Sequence, residues 1–156
     1  MGDGYHFETL KAAILARSRA TEWPVARLEW KLVDISMADE PETCACGHYP
    51  IRELCLLNNR ITGQHLEVGN VCVKRFLGLD YGLVFQGLKR IADDDTKALN
   101  AAATAFFYER GVISEWEYKF QQSTLRKRQL SLKQEATRQS INARVLAAVR
   151  SRGLAR

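Results

Sequence analysis

Four cysteines, at positions 44, 46, 55 and 72, are the only ones in this 156-residue chain, and they crowd into 29 consecutive positions. They run C-x-C, then eight residues to Cys55, then sixteen to Cys72. Thiolates at such spacing suit zinc, which takes four ligands in a tetrahedron with sulfur at about 2.3 Å. A tight C-x-C-G turn aims two sulfurs at one ion, and Gly47 supplies the backbone freedom that the turn needs. A hairpin then carries the chain away and back to a short helix whose first turn presents Cys72. The positive end of that helix favours a thiolate over a thiol. The expected zinc ligands are Cys44, Cys46, Cys55 and Cys72. His48, two residues past Cys46, competes with Cys55 for the fourth place, and His65 on the return strand is a remote third. Against its ligand role, Cys55 also reads as a small buried hydrophobe.

The elements that must position these residues follow from periodicity and turn chemistry. Residues 6–20 read as an amphipathic helix with Phe7, Leu10, Ala13 and Ile14 on one face. Residues 25–37 read as a strand, and 38–43 as a polar, acidic connection into the cysteines. Residues 51–57 and 64–68 read as hairpin strands around the turn-forming run Asn58-Asn59-Arg60-Ile61-Thr62-Gly63. Asn70 is expected to cap the helix that carries Cys72, and Gly78 to end it. Phe76 is expected to cover the metal site. This order of knuckle, hairpin and helix-borne ligand follows treble-clef logic, with one helix cysteine in place of the usual pair.

The remainder reads as helical. One helix covers 81–91, and a second starts at a cap on Asp95 or Thr96 and runs to Arg110. Ser114 with Glu117, and Ser131 with Gln134, match capping boxes that open two more. The last helix is expected over 132–152, with Leu132, Ala136, Ile141, Val145, Ala148 and Val149 as its apolar stripe. Trp30, Trp116, Tyr118 and Phe120 are read as core before base-stacking groups.

The segment C-x-C-G-H with Ile51, Asn59, Thr62-Gly63 and V-G-N-x-C-V-x-x-F over 68–76 resembles a small zinc-binding module of uncharacterised bacterial, phage and large-DNA-virus proteins. The residues that carry it are Cys44, Cys46, Gly47, Gly63, Gly69 and Cys72, within about 35 positions of the chain. The resemblance implies a metal-stabilised module in a nucleic-acid setting. It brings no activity with it and does not extend to the helical half.

Enzyme signatures fail on inspection. His65-Leu66-Glu67 matches half of a zinc deaminase motif, but no P-C-x-x-C follows. No second His or Asn follows Cys72 where an H-N-H nuclease needs one. H-E-x-x-H, Walker A and G-x-S-x-G are absent. His65 and Glu67 read as an ordinary polar strand edge. A zinc ion closed by four protein ligands is structural, so the expectation is a protein that is not an enzyme.

Charge is the second signal. The chain carries 23 Lys and Arg against 18 Asp and Glu, a net +5. That value hides an asymmetry. Residues 126–156 hold nine basic groups (Arg126, Lys127, Arg128, Lys133, Arg138, Arg144, Arg150, Arg152 and Arg156) opposed only by Glu135, while residues 1–125 are net −3. A basic helix can follow phosphates and release counterions. Seven of the nine are arginine, the residue suited to bidentate phosphate contacts. Lys74-Arg75 adds a smaller patch on the expected Cys72 helix. The expected nucleic-acid contacts are Lys74, Arg75, Arg126, Lys127, Arg128, Lys133, Arg138 and Arg144. The bland reading is a solvated face whose cations favour the helix dipole.

No apolar run reaches membrane-spanning length, and the first residues lack the pattern of a secretory signal. Gly2 is not followed by Ser or Thr at position 6, which is His6, so myristoylation is not expected. A reducing cytoplasm is expected, where clustered cysteines serve as metal ligands before disulfides. The reading is therefore an α+β, helix-rich protein in three segments: 1–43 packing on the zinc module, the treble-clef-like module itself at 44–78, and a helical region at 79–156. Its expected role is non-catalytic nucleic-acid binding. The alternative is an adaptor or inhibitor, of the phage-effector kind, that docks on a host protein.

Overall fold

Leu10 and Ile14, one helical turn apart, are fully buried and set the inner face of the first helix, α1 (Asp3–Ala16). In the computed structural model, which describes residues 3–150, α1 leads through a short α2 (Trp23–Ala26) and a 3₁₀ turn (Arg27–Glu29) into β1 (Trp30–Glu42). The strand expected from residue 25 therefore starts five residues later. Pro24 sits in the first turn of α2, where its missing N–H costs nothing. At the other end β1 runs on through 38–42, which composition had marked as a connection. Register breaks between Leu32 and Asp34 and between Met37 and Glu42 accommodate the irregular stretch.

β2 (Ile51–Asn59) and β3 (His65–Gly69) form the expected hairpin, and the sheet is antiparallel with β2 central. Asn59 builds the turn. Its Oδ1 accepts from the Ile61 and Thr62 amides at 2.8 and 2.9 Å, and Gly63 takes φ +75°. The same side chain donates through Nδ2 to the buried Glu29 carboxylate at 2.9 Å. Glu29 also accepts from the Arg19 and Ala20 amides at 2.9 and 2.8 Å, so each carboxylate oxygen is held. One polar knot thus joins the segment after α1 to the hairpin tip.

α3 (Asn70–Leu77) follows β3 directly. Gly69 rather than Asn70 is its N-cap, and Gly78 at φ +72° ends it as expected. Phe76 is fully buried, with its ring 5.3 Å from Trp23 and 6.3 Å from Trp30. Residues through Asp80 form one compact unit, and Tyr81–Val149 form a second.

The second unit contains α4 (Gly82–Asp93), α5 (Ala101–Glu109), α6 (Glu115–Thr124) and α7 (Leu132–Arg150). α5 starts later than expected because Asn100, not Asp95 or Thr96, is its cap. Asn100 accepts from the Ala103 amide at 2.9 Å and donates to the Leu83 carbonyl of α4 at 2.7 Å. Gly87 allows that approach: a Cβ there would lie 2.7 Å from Asn100 Oδ1. Both capping boxes form. Ser114 and Glu117 exchange bonds of 2.8 and 3.1 Å, and Ser131 and Gln134 exchange bonds of 3.0 and 3.1 Å. The inner face of α7 is Arg138, Ile141, Asn142, Val145, Leu146 and Val149. Leu132 and Ala136, expected on that stripe, are exposed. Among the described residues no helix is long and apolar enough to cross a membrane.

Candidate metal centre

The residue after Cys46 makes the first turn of the site possible. Gly47 takes φ +91°, its amide donates to the Cys44 carbonyl at 2.8 Å, and the Cys44 amide donates to the His48 carbonyl at 2.9 Å. The turn curls Cys44 and Cys46 toward one point. Pairing of Leu54 with Gly69 across the hairpin brings the start of α3 to that point, and Cys72 projects from its first turn. Cys44, Cys46 and Cys72 are all buried, and their sulfurs lie within 4.8 Å of one another. Cys44 Sγ and Cys72 Sγ are 3.3 Å apart.

Backbone amides also serve the sulfurs. Gly69 N–H points at Cys44 Sγ at 3.2 Å, and His48 N–H at Cys46 Sγ at 3.4 Å. Such donors stabilise thiolate charge in a place where burial opposes it. The bond with Cys72, helped by the Cys46 and Gly69 amides, holds Cys44 down at about 5. The thiol of Cys72 is pushed up, first by its hydrogen bond to Cys44 and then by burial, and burial raises Cys46. A tetrahedron with about 2.3 Å arms has edges near 3.8 Å, so closing on a zinc-sized ion shifts the sulfurs by no more than about 1 Å. Three buried cysteines so placed can hold a metal ion.

Cys55 lies outside this group. It is fully buried at the centre of the sheet, flanked in register by Ile35 on β1 and Val68 on β3. Burial pushes its thiol up to about 12. His65 sits exposed on edge strand β3. His48 is exposed beside the knuckle. His6 from α1 was not marked by spacing in the sequence, yet its Nδ1 is 2.9 Å from the Cys46 carbonyl oxygen.

The basic residues sit in different surroundings. Arg126, Lys127 and Arg128 are exposed in the segment between α6 and α7, and Lys133 is exposed on the first turn of α7. Arg144 is on the same face as Lys133, eleven residues on, but pairs with Glu117 at 2.6 Å. Arg138 has to be withdrawn from the phosphate-facing set. It is buried, and its guanidinium donates to the Thr96 and Thr124 carbonyls at 3.2 and 2.9 Å. Lys74 and Arg75 are exposed on α3, with Lys74 3.4 Å from Asp80. Arg150 ends α7, and Arg152 and Arg156 lie outside the described residues. Of the aromatics, Trp116 corrects the core reading: it is 63% exposed and stacked on Phe120 at 5.5 Å.

No protein family, curated protein or solved structure matches this chain.

Proposed function

We propose that this chain is a non-catalytic nucleic-acid-binding protein whose first unit is fastened by a structural zinc ion. The observation that carries the metal half is the convergence of Cys44, Cys46 and Cys72 within 4.8 Å, all buried, with Cys44 and Cys46 served by backbone donors. Thiolate donors suit zinc, and such an ion would fix the knuckle to α3. Its role in this reading is to hold the fold, tying the knuckle at Cys44 and Cys46 to the helix that carries Cys72. The resemblance of C-x-C-G-H and V-G-N-x-C-V to zinc modules supports the same reading.

Phosphate contact rests on Arg126, Lys127, Arg128 and Lys133, exposed together where α6 passes to α7. Arg144 contributes weakly because Glu117 already neutralises it. Lys74 and Arg75 add contacts from α3. The test is binding to duplex and single-stranded DNA and RNA across a salt series. Each phosphate neutralised contributes about −0.9 to the log–log slope on duplex, so four contacts give roughly −3 to −4. No binding at low salt, or affinity flat with salt, overturns this half and leaves the adaptor reading, in which the chain docks on a host protein.

A further inference from the structure

Three thiolates leave one corner of a zinc tetrahedron to fill, and the residues beside the group narrow the choice. Cys55 is locked into the middle of the sheet, with β1 and β3 paired on either side of it. Its sulfur does not join the group formed by Cys44, Cys46 and Cys72.

His48 is held differently. Its amide donates to Cys46 Sγ at 3.4 Å and its carbonyl accepts from the Cys44 amide at 2.9 Å. The backbone of His48 is therefore fixed against the sulfur group from both sides. Its side chain is exposed, and among the described residues its ring has only an edge-on contact with His6, centroids 5.7 Å apart. Rotation about its side-chain bonds costs little and breaks no hydrogen bond.

His6 is the other imidazole in reach, and it is already engaged. A carbonyl oxygen can only accept, so His6 Nδ1 carries the proton that meets the Cys46 carbonyl at 2.9 Å. That bond leaves Nε2 of His6 with a free lone pair, so His6 is the competing imidazole that the experiment has to separate from His48. His6 is tied through Nδ1 to the Cys46 carbonyl, whereas the His48 ring carries no hydrogen bond among the described residues and its backbone is part of the knuckle. Neutral imidazole also leaves the zinc and its ligands with one net negative charge instead of two, which costs less to bury.

We infer that His48 supplies the fourth ligand, completing a Cys3His zinc set with Cys44, Cys46 and Cys72 while Cys55 stays a core residue. This rests on the metal reading above. The test is titration of the whole chain with cobalt(II) as the spectroscopic probe, with zinc competition for affinity. The wild-type chain is expected to give tetrahedral d–d bands and sulfur-to-cobalt absorption of three thiolates, and Cys55→Ser the same spectrum. His48→Gly is expected to shift the d–d bands and weaken binding at least ~100-fold, more than loss of an outer partner does. Free imidazole should restore the bands in His48→Gly, which a folding defect would not allow. In the zinc-loaded wild-type chain, one ring nitrogen of His48 should show the ¹⁵N shift of a metal-bound imidazole. An unchanged His48→Gly spectrum, with a thiolate lost in Cys55→Ser or the bands moved in His6→Gln, overturns the assignment. A wild-type chain that binds neither cobalt nor zinc overturns the metal reading itself.

Discussion

The sulfurs of Cys44 and Cys72 lie 3.3 Å apart although 28 positions of chain separate them. The β2–β3 hairpin makes this possible. By pairing Leu54 with Gly69 it returns the chain to the knuckle, and Gly69 N–H bonds to the Cys44 sulfur on the way past. A one-residue slip in that register would turn α3 and carry Cys72 off the site.

Cys55 tests whether burial and ligation have been told apart. Cys55→Ser places a hydroxyl between Ile35 and Val68 in the sheet centre. It should cost about 1–3 kcal/mol while leaving zinc per chain unchanged. Denaturant unfolding and elemental analysis check both halves. Loss of metal in this variant would make Cys55 a ligand.

Glu29 should make stability depend on pH in a defined direction. Its amide partner Arg19, then Asn59, hold the carboxylate below its ordinary value near 4.5. A depressed folded value means the contribution is complete above about pH 4.5 and is lost as pH falls through the lowered value. Glu29→Gln turns an amide toward the Arg19 and Ala20 N–H groups and is less stable at pH 7. The gap from wild type should narrow below about pH 4.5. A gap constant from pH 7 to 3 would contradict the assignment.

Gly87→Ala should destabilise the second unit. The added methyl meets Asn100 Oδ1 at 2.7 Å and the Ala103 methyl at 3.1 Å. Either Asn100 gives up its cap on α5 or the helices separate, at a cost of about 1–3 kcal/mol. Amide exchange should quicken first at the start of α5. Unchanged protection at Ala103 would count against this account.

Arg138 and Arg126 should behave oppositely. Arg138→Met leaves the Thr96 and Thr124 carbonyls without their charged donor and should cost about 2–3 kcal/mol. Its nucleic-acid affinity below the unfolding temperature should be unchanged. Arg126→Ala should leave stability within about 0.5 kcal/mol and reduce the salt slope by about 1. If Arg138→Met weakens binding while the chain stays folded, that residue faces phosphate after all.

Much of the fold was legible because its signals are local. The capping boxes at Ser114 and Ser131, the Asn59 turn and Gly78 each depend on a few neighbouring residues. What escaped depends on distant partners. A helix start is expected at Asp95 or Thr96, but that segment is held by α7, where Asn142 donates to the Asp95 and Lys97 carbonyls. Arg138 looked like one more cation in a basic run because nothing nearby shows that it points inward. Three cysteines of the candidate site were legible from spacing. The place of Cys55 was not, since only sheet register puts it between Ile35 and Val68. His6 escaped too, forty positions from the carbonyl it meets.

Zinc bound by Cys44, Cys46 and Cys72 is measured by counting zinc in the native chain and in Cys72→Ser, both purified without chelator. The wild-type chain should carry about one zinc, the variant should lose it, and stripping with a chelator should lower thermal stability sharply. A metal-free wild-type chain whose unfolding temperature is unmoved by chelator or by added zinc would contradict the zinc assignment.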